Sequence, residues 1–184
     1  IGYMDAGDLI MARKKIERAL EIEPESASAH SAMALYWLER GEDKLAEEEF
    51  EIALDFDDEH SPTNYHYGRF LLSKKRDEDA CDMIALAAND VDYSSRVNAY
   101  ENLGICHRLF NQTRGSIDAF ERAWTFDANR TISSLYLTQI YMQKKNLKVA
   151  SRWFDRFEQA LKNQKVRHSA ASLFLGYQLS KAKR

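Results

Sequence analysis

Small and apolar residues recur through this chain with a period of about 34 residues, and this recurrence limits the possible folds more than any other feature. In the segment that begins at Ala27, the recurring positions are occupied by Ala34, Ala46 and Phe50. Three later segments repeat the spacing, one of them after a two-residue insertion. Their corresponding residues are Gly68, Ala80 and Ile84, then Gly104, Ser116 and Phe120, then Thr138, Ala150 and Phe154. Such periodicity indicates stacked units that bury their apolar faces on one another.

The spacing matches the tetratricopeptide pattern, W-x2-L-G-x2-Y, then A-x3-F, then P, in which each repeat contains a first and a second helix. Low counts of seven Gly and two Pro also favour helices. We therefore predict an all-α fold, a tetratricopeptide-repeat right-handed superhelix or α-solenoid, that forms one domain over residues 1–184. Its predicted units are a partial repeat at 1–26, repeats at 27–60, 61–96, 97–130 and 131–168, and a partial repeat at 169–184.

The partial repeats at the two ends lead us to expect a fragment of a longer polypeptide. In the first of them, Tyr3 occupies the Tyr position of the pattern. Gly7 and Gly41 are expected to end first helices, where a left-handed residue is needed. Ser61 is expected to cap the next first helix, because Pro62 follows it.

Small residues in the Gly and Ala positions predict close approach between the two helices of a repeat. Gly68, Gly104 and Gly176 are expected where a first helix meets the second helix. Larger residues at helical spacing are expected to fill the space between helices. The pairs concerned are Met33 with Phe50, Tyr67 with Ile84, Leu103 with Phe120 and Leu137 with Phe154.

The first helices of such a superhelix line a concave surface, so the inner positions of the repeat predict a binding groove. In this chain those positions are largely apolar, as an amphipathic helix or an extended peptide would require. An alternative is that the same residues only pack the superhelix or meet a further helix. The candidate partner-binding residues are Leu35, Leu38, Tyr65, Arg69, Leu72, Ile105, Arg108, Leu109, Leu135 and Met142, and Glu101, Ile132, Gln139, Leu173 and Tyr177 occupy further inner positions.

Charge is distributed unevenly along the chain, although the net charge is only -3 from 26 basic and 29 acidic residues. This balance argues against a nucleic-acid partner, which a clear basic excess would accompany. Residues 1–60 hold 6 Lys/Arg and 17 Asp/Glu, whereas residues 131–184 hold 11 and 2. The asymmetry predicts either an electric dipole that orients charged partners or simply two solvated faces.

No catalytic motif is present, so the sequence predicts neither an enzyme nor a cofactor. Cys106 beside His107 suggests a nucleophile and base, but adjacent helical side chains diverge by about 100°, which favours a packed histidine instead. We interpret His107 and His30 as packed histidines. The run of acidic residues at 57–59 followed by His60 is interpreted as a solvated turn, not a metal site.

Two cysteines are too few for a disulfide scaffold and have no zinc-site spacing. Cys81 and Cys106 fall on helices that are expected to be adjacent. A disulfide is conceivable in an oxidising compartment, but the sequence favours two buried free thiols.

The sequence contains no run of about 18 apolar residues, so it predicts no membrane-spanning helix.

Several local motifs go beyond the generic repeat. They are the stretch N-Y-H-Y-G-R-F-L at 64–71, K-K-R at 74–76, D-Y-S-S-R at 92–96 with Y-E-N-L-G at 100–104, and S-L-F-L-G at 172–176. Together they resemble the type IV pilus biogenesis and stability proteins of the PilF/PilW family. The resemblance covers nearly the whole chain, with departures at Arg69, Cys106 and His107.

This resemblance implies a pilotin, which is a periplasmic lipoprotein held at the outer membrane by an acylated N-terminal Cys that this chain does not contain. Such a protein would bind the secretin PilQ, bring it to the outer membrane and promote its assembly into a ring. Two alternatives remain open at this point. One is a generic tetratricopeptide adaptor in a cytoplasmic complex, and the other is a helical accessory region of a larger enzyme.

Overall fold

The computed structural model describes residues 9–183, which form ten α-helices and no β-strand. The prediction of an all-α chain is confirmed over this range. The expectations for Tyr3 and Gly7 lie outside the described residues. The helices are α1 (Leu9–Ile22), α2 (Ala27–Glu39), α3 (Asp43–Phe56), α4 (Ser61–Ser73), α5 (Asp77–Asn89), α6 (Arg96–Leu109), α7 (Thr113–Phe126), α8 (Thr131–Gln143), α9 (Leu147–Gln164) and α10 (Ala170–Ala182).

The chain divides into two compact units, Ile1–Ser95 and Arg96–Arg184. In the first unit α2 pairs with α3 and α4 pairs with α5, and in the second α6 pairs with α7 and α8 pairs with α9. These pairs begin at residues 27, 61, 96 and 131, within one residue of the predicted repeat starts. The arrangement of all repeats in a single superhelix stays a prediction.

Each helix pair turns at a residue with left-handed backbone conformation. These residues are Gly41 (φ 75°), Lys75 (φ 61°), Asn111 (φ 57°) and Lys145 (φ 57°). In the first turn the Gly41 N–H donates to the Leu38 carbonyl at 3.0 Å, and the Glu42 N–H donates to the Trp37 carbonyl at 2.9 Å. This is the Schellman motif, which satisfies carbonyls at the end of a helix. The expectation for Gly41 is confirmed.

The predicted close approach of helices at small residues is also confirmed. A Cβ atom on Gly68 would lie 2.8 Å from Ile84 Cγ1 and 2.9 Å from the Ala80 carbonyl oxygen. A Cβ atom on Gly104 would lie 2.7 Å from the ring of Phe120. Gly176 differs from the expectation, because the ring that a Cβ atom there would meet at 2.7 Å is that of Phe154 on α9, the second helix of the preceding repeat. A larger residue at these positions would therefore push the two helices apart.

Aromatic stacking fills the space between helices within each unit. In the first unit Phe50 is fully buried and stacks on Tyr67 with ring centroids 5.2 Å apart. In the second unit the fully buried Phe120 stacks on Tyr136 at 5.0 Å. Offset or stacked aromatic pairs stabilise a core beyond their buried area. Of the large residues in the repeat pattern, Leu103 and Phe154 are half-buried, and the other six are buried in the core.

The helix start at α4 differs from the expectation. The N-cap residue is His60, not Ser61, and its side chain accepts a hydrogen bond from the Thr63 N–H at 3.3 Å. Ser61 is instead the first helical residue, and its hydroxyl donates to Asp90 Oδ2 at 2.5 Å. A histidine side chain can serve as the capping acceptor, because neutral imidazole has one unprotonated nitrogen.

The expectation of free thiols is wrong, because Cys81 and Cys106 are both disulfide-bonded. The sequence could not decide this point. A pair of cysteines in a helical protein is compatible with either state until the redox compartment is known.

Candidate functional site

The candidate residues of the first unit lie on α2 and α4, which contact each other. Leu35 and Leu38 of α2 and Leu72 of α4 are half-buried and pack against the core cluster around Phe50. Each leucine therefore has one side in the core and another at the surface. Leu35, Leu38, Arg69 and Leu72 are called the unit 1 patch below.

Tyr65 is the exception among the candidates of this unit, since its side chain is only 7% exposed. Its ring lies 5.9 Å from the ring of Tyr93, and the guanidinium of Arg69 lies 5.6 Å from its centroid. The same burial raises the pKa of Tyr93 to about 12. Tyr65 thus supports the exposed Arg69 and offers little surface to a partner, contrary to its predicted exposed position.

The positive charge of the unit 1 patch comes from Arg69. Its neighbour His66 is shielded from solvent, and burial, followed by the charge of Arg69, lowers the pKa of His66 to about 4. His66 is therefore neutral at physiological pH. The patch combines three partly exposed leucines with one arginine, a composition that fits an amphipathic protein segment.

The candidate residues of the second unit lie on α6 and α8. Leu109 is 48% exposed, whereas Ile105, Arg108, Leu135 and Met142 are half-buried. Ile105 packs against the core cluster that contains Phe120. These five residues are called the unit 2 patch below.

Arg108 is held in place by an aromatic ring. Its guanidinium carbon lies 4.7 Å from the ring centroid of Tyr136, which in turn stacks on Phe120. A cation over an aromatic face is attracted by the ring quadrupole. The arginine is thereby fixed on α6 with its charge at the surface, where it could pair with an acidic group of a partner.

Glu101 was placed by the repeat pattern at an exposed inner position, but it is only 3% exposed. Its Oε1 atom accepts hydrogen bonds from the Ser133 N–H at 3.1 Å and the Ser133 hydroxyl at 2.7 Å. Its Oε2 atom pairs with Arg130, which also donates to Asn98 Oδ1 at 2.6 Å. The acid of the Y-E-N-L-G motif is therefore a cap for the start of α8, a role that the sequence did not reveal.

The histidines that were interpreted as packed residues have structural partners. His107 Nδ1 lies 2.6 Å from Gln112 Oε1. His30 contacts Glu49 Oε2 at 2.7 Å and the Pro24 carbonyl at 2.9 Å. Both rings are half-buried and occupied by these bonds.

The acidic segment at 57–59 forms a turn in which Asp57 Oδ1 accepts the Glu59 N–H at 3.2 Å. Residues 9–183 contain no group of three or more His, Cys, Asp or Glu side chains arranged to hold a metal ion. Over the same range, none of the helices has the length and apolar character that a membrane span requires.

Comparison with known proteins identifies relatives of this chain, although no family model matches. The chain is 30% identical over 181 residues to the type IV pilus assembly protein PilF of Pseudomonas aeruginosa, a match that covers 98% of this chain and 70% of PilF. An uncharacterised protein of Haemophilus influenzae is 27% identical over 106 residues, which covers 58% of this chain and 59% of that protein.

Solved structures agree with these relatives. The structure of Pseudomonas aeruginosa PilF superposes with a TM-score of 0.87 at 30% identity, covering 98% of this chain and 79% of that one. The structure of PilW, a type IV pilus biogenesis factor, gives a TM-score of 0.77 at 24% identity, with coverages of 98% and 81%. MamA gives 0.73 at 15% identity, with coverages of 89% and 95%, and shares the fold alone.

The fold is thus that of tetratricopeptide proteins, as the repeat spacing predicted, and proteins of this fold mediate protein–protein interactions. The PilF match covers 98% of the chain at 30% identity, and it confirms the family that the sequence resembles. The chain belongs to the PilF family of type IV pilus biogenesis proteins.

Proposed function

We propose that this protein is a pilotin that binds the secretin PilQ and promotes its localisation and assembly in the outer membrane. The observation that carries the proposal is that the inner positions of both units keep apolar side chains partly exposed in a member of the PilF family. Apolar residues around a fixed arginine suit the capture of an amphipathic segment of another protein.

The proposed action is binding without covalent chemistry. His30 and His107 are engaged by partners that hold the fold, which supports a structural role for both. The residues of the two patches include no paired nucleophile and base. The protein would therefore act as a scaffold for secretin assembly.

The proposed location is the periplasm, at the inner side of the outer membrane, through a lipid anchor in the full-length protein. The disulfide-bonded state of Cys81 and Cys106 supports this location. Disulfides persist in oxidising compartments such as the bacterial periplasm and are rare in the cytosol.

The test is co-purification of the secretin from detergent-solubilised membranes with wild-type protein and with Leu35→Asp and Leu72→Asp variants. Burying an unpaired carboxylate at an apolar contact should reduce secretin recovery by about tenfold or more. Leu86→Asp is the matched control, because Leu86 is 55% exposed on α5 and lies outside the patches. Retention of all secretin by both folded patch variants would reject the unit 1 patch as the binding surface.

A further inference from the structure

An open groove of about 820 Å³ lies between α8 and α10 in the second unit. This volume falls within the roughly 300–1,000 Å³ of ligand-binding clefts. The α8 wall carries Met142 of the unit 2 patch, and the groove has apolar and amide side chains on both walls. Its lining residues are Gln139, Met142, Gln143, Phe174, Leu175, Tyr177, Gln178, Lys181 and Ala182.

The α10 wall exposes large apolar side chains. Phe174 and Tyr177 line the groove and are 59% and 63% exposed, and Leu173, which lies on the same helix outside the groove lining, is 59% exposed. Leu175 and Leu179 of the same helix are buried. An apolar surface of this kind, extended along a helix at i and i+4 spacing, favours an elongated partner over a compact small molecule.

The charge around the groove is positive. None of the lining residues is acidic, and Lys181 is among them. Lys144 and Lys145 directly follow α8 and are exposed, and Lys183 directly follows α10. Over residues 131–184 the chain has 11 basic and 2 acidic side chains. A partner for this surface therefore needs acidic residues beside its apolar ones.

We infer that the α8–α10 groove binds an acidic amphipathic helix of a partner protein. The apolar face of that helix would lie against Met142, Phe174 and Tyr177, and its acidic side chains would face Lys181 and the lysines that follow α8. The inference rests on the proposed function, because Met142 of the unit 2 patch lines the groove. It goes further by specifying that the partner segment bound between α8 and α10 is an acidic amphipathic helix.

The test uses a blocked, fluorescently labelled peptide with the sequence of residues 43–56, D-K-L-A-E-E-E-F-E-I-A-L-D-F, as a defined acidic amphipathic helix. Anisotropy titration of the full chain at low salt should show saturable binding. A second peptide, in which the four glutamates at 47, 48, 49 and 51 are replaced by lysine, should bind at least about tenfold more weakly.

Two groove variants and two control variants test whether the peptide binds in the α8–α10 groove. Tyr177→Asp and Lys181→Glu should each weaken binding by at least about tenfold, the effect of removing a central interface residue. Leu86→Asp and Lys148→Glu are matched controls that alter exposed residues outside the groove and should retain binding. Circular dichroism and thermal melts verify folding, and Lys181→Glu leaves the apolar face of α10 intact.

Equal binding of the acidic and lysine-substituted peptides, or normal binding by both groove variants, would overturn the inference. Sedimentation velocity adds a second criterion. A monomer supports a groove open to another protein, whereas self-association that Tyr177→Asp abolishes would show that a second copy occupies it and would also overturn the inference.

The two proposals can fail separately. Failure of the peptide to bind while Leu35→Asp still loses the secretin rejects only the groove inference. Secretin retention by both leucine variants while the peptide binds normally rejects only the unit 1 patch.

Discussion

Glu101 on α6 receives both the backbone N–H and the hydroxyl of Ser133, so a buried acid from one repeat caps the first helix of the next. The Ser133 N–H belongs to the first turn of α8, where no intrahelical acceptor is available. Arg130 neutralises the other oxygen of the same carboxylate. This arrangement gives a structural reason for an acid within the Y-E-N-L-G motif.

Removal of this carboxylate should destabilise the second unit. Glu101→Ala leaves the Ser133 N–H and Arg130 without their buried acceptor, and we expect the free energy of unfolding to fall by roughly 3 kcal/mol. Urea denaturation followed by circular dichroism measures the change. Glu78→Ala on the exposed surface of α5 is the control and should have little effect. An equally small effect at both positions would contradict the proposed role of Glu101.

The left-handed turns predict that glycine stabilises the chain where lysine now stands. A left-handed backbone costs a residue with a Cβ roughly 1 kcal/mol, so Lys75→Gly and Lys145→Gly should each raise the free energy of unfolding by up to about that amount. Lys144→Gly is the control, because Lys144 has a negative φ of -72° and should gain nothing. Thermal melts that rank Lys144→Gly above Lys145→Gly would contradict the argument.

Burial of His66 predicts that stability falls in mild acid. The folded pKa of about 4 lies below the usual 6.5, so between these values the unfolded chain binds more protons. The contribution of neutral His66 to the free energy of unfolding is fully present above pH 6.5. This contribution, roughly 3 kcal/mol, is lost as the pH falls toward 4. Burial also lowers the pKa of His60, which adds a loss in the same direction.

His66→Gln should therefore flatten the dependence of unfolding free energy on pH between 6.5 and 4. Arg69→Gln should reduce the dependence less, because the charge of Arg69 is the smaller of the two causes. Urea titrations at half-unit pH intervals measure both slopes. A His66→Gln slope that is identical to the wild-type slope would rule out this histidine as its source.

Arg156 stabilises the second unit by lying over two tryptophans. Its guanidinium carbon is 4.3 Å from the ring centroid of Trp124 and 4.2 Å from that of Trp153. We expect Arg156→Ala to lower the free energy of unfolding by about 1–2 kcal/mol and to change tryptophan fluorescence. Arg152→Ala, at an exposed position of the same helix, should leave both readouts nearly unchanged. Matching losses in the two variants would exclude a specific contribution from the tryptophan contacts.

The sequence predicted the repeat geometry because each repeat position imposes a steric requirement. Gly68 lies where two helices touch, because a Cβ atom there would come within 3 Å of Ile84 and of the Ala80 carbonyl. Helix starts near 27, 61, 96 and 131 follow from the same spacing. These features depend on the spacing of apolar residues and on side-chain size, both of which can be determined directly from the amino-acid sequence.

The candidate surface was predicted less completely, because the repeat pattern assigns a residue to a side of a helix but not its neighbours in space. Tyr65 is buried since Tyr93, from the loop before α6, lies against it. Glu101 is buried since its long side chain reaches the backbone of α8. The disulfide-bonded state of the cysteines depends on the redox environment, which periodicity does not encode.

The most direct test of the central claim is site-specific photo-crosslinking in cells that assemble the secretin. A photoreactive amino acid is placed at Leu72 of the unit 1 patch, at Leu109 of the unit 2 patch, or at Leu86 on α5 as the control. If the inner positions bind the secretin, the photoreactive variants at Leu72 and Leu109 should form crosslinked adducts with PilQ, and the variant at Leu86 should not. Adducts from Leu86 alone, or from none of the three positions in cells with assembled secretin, would contradict it.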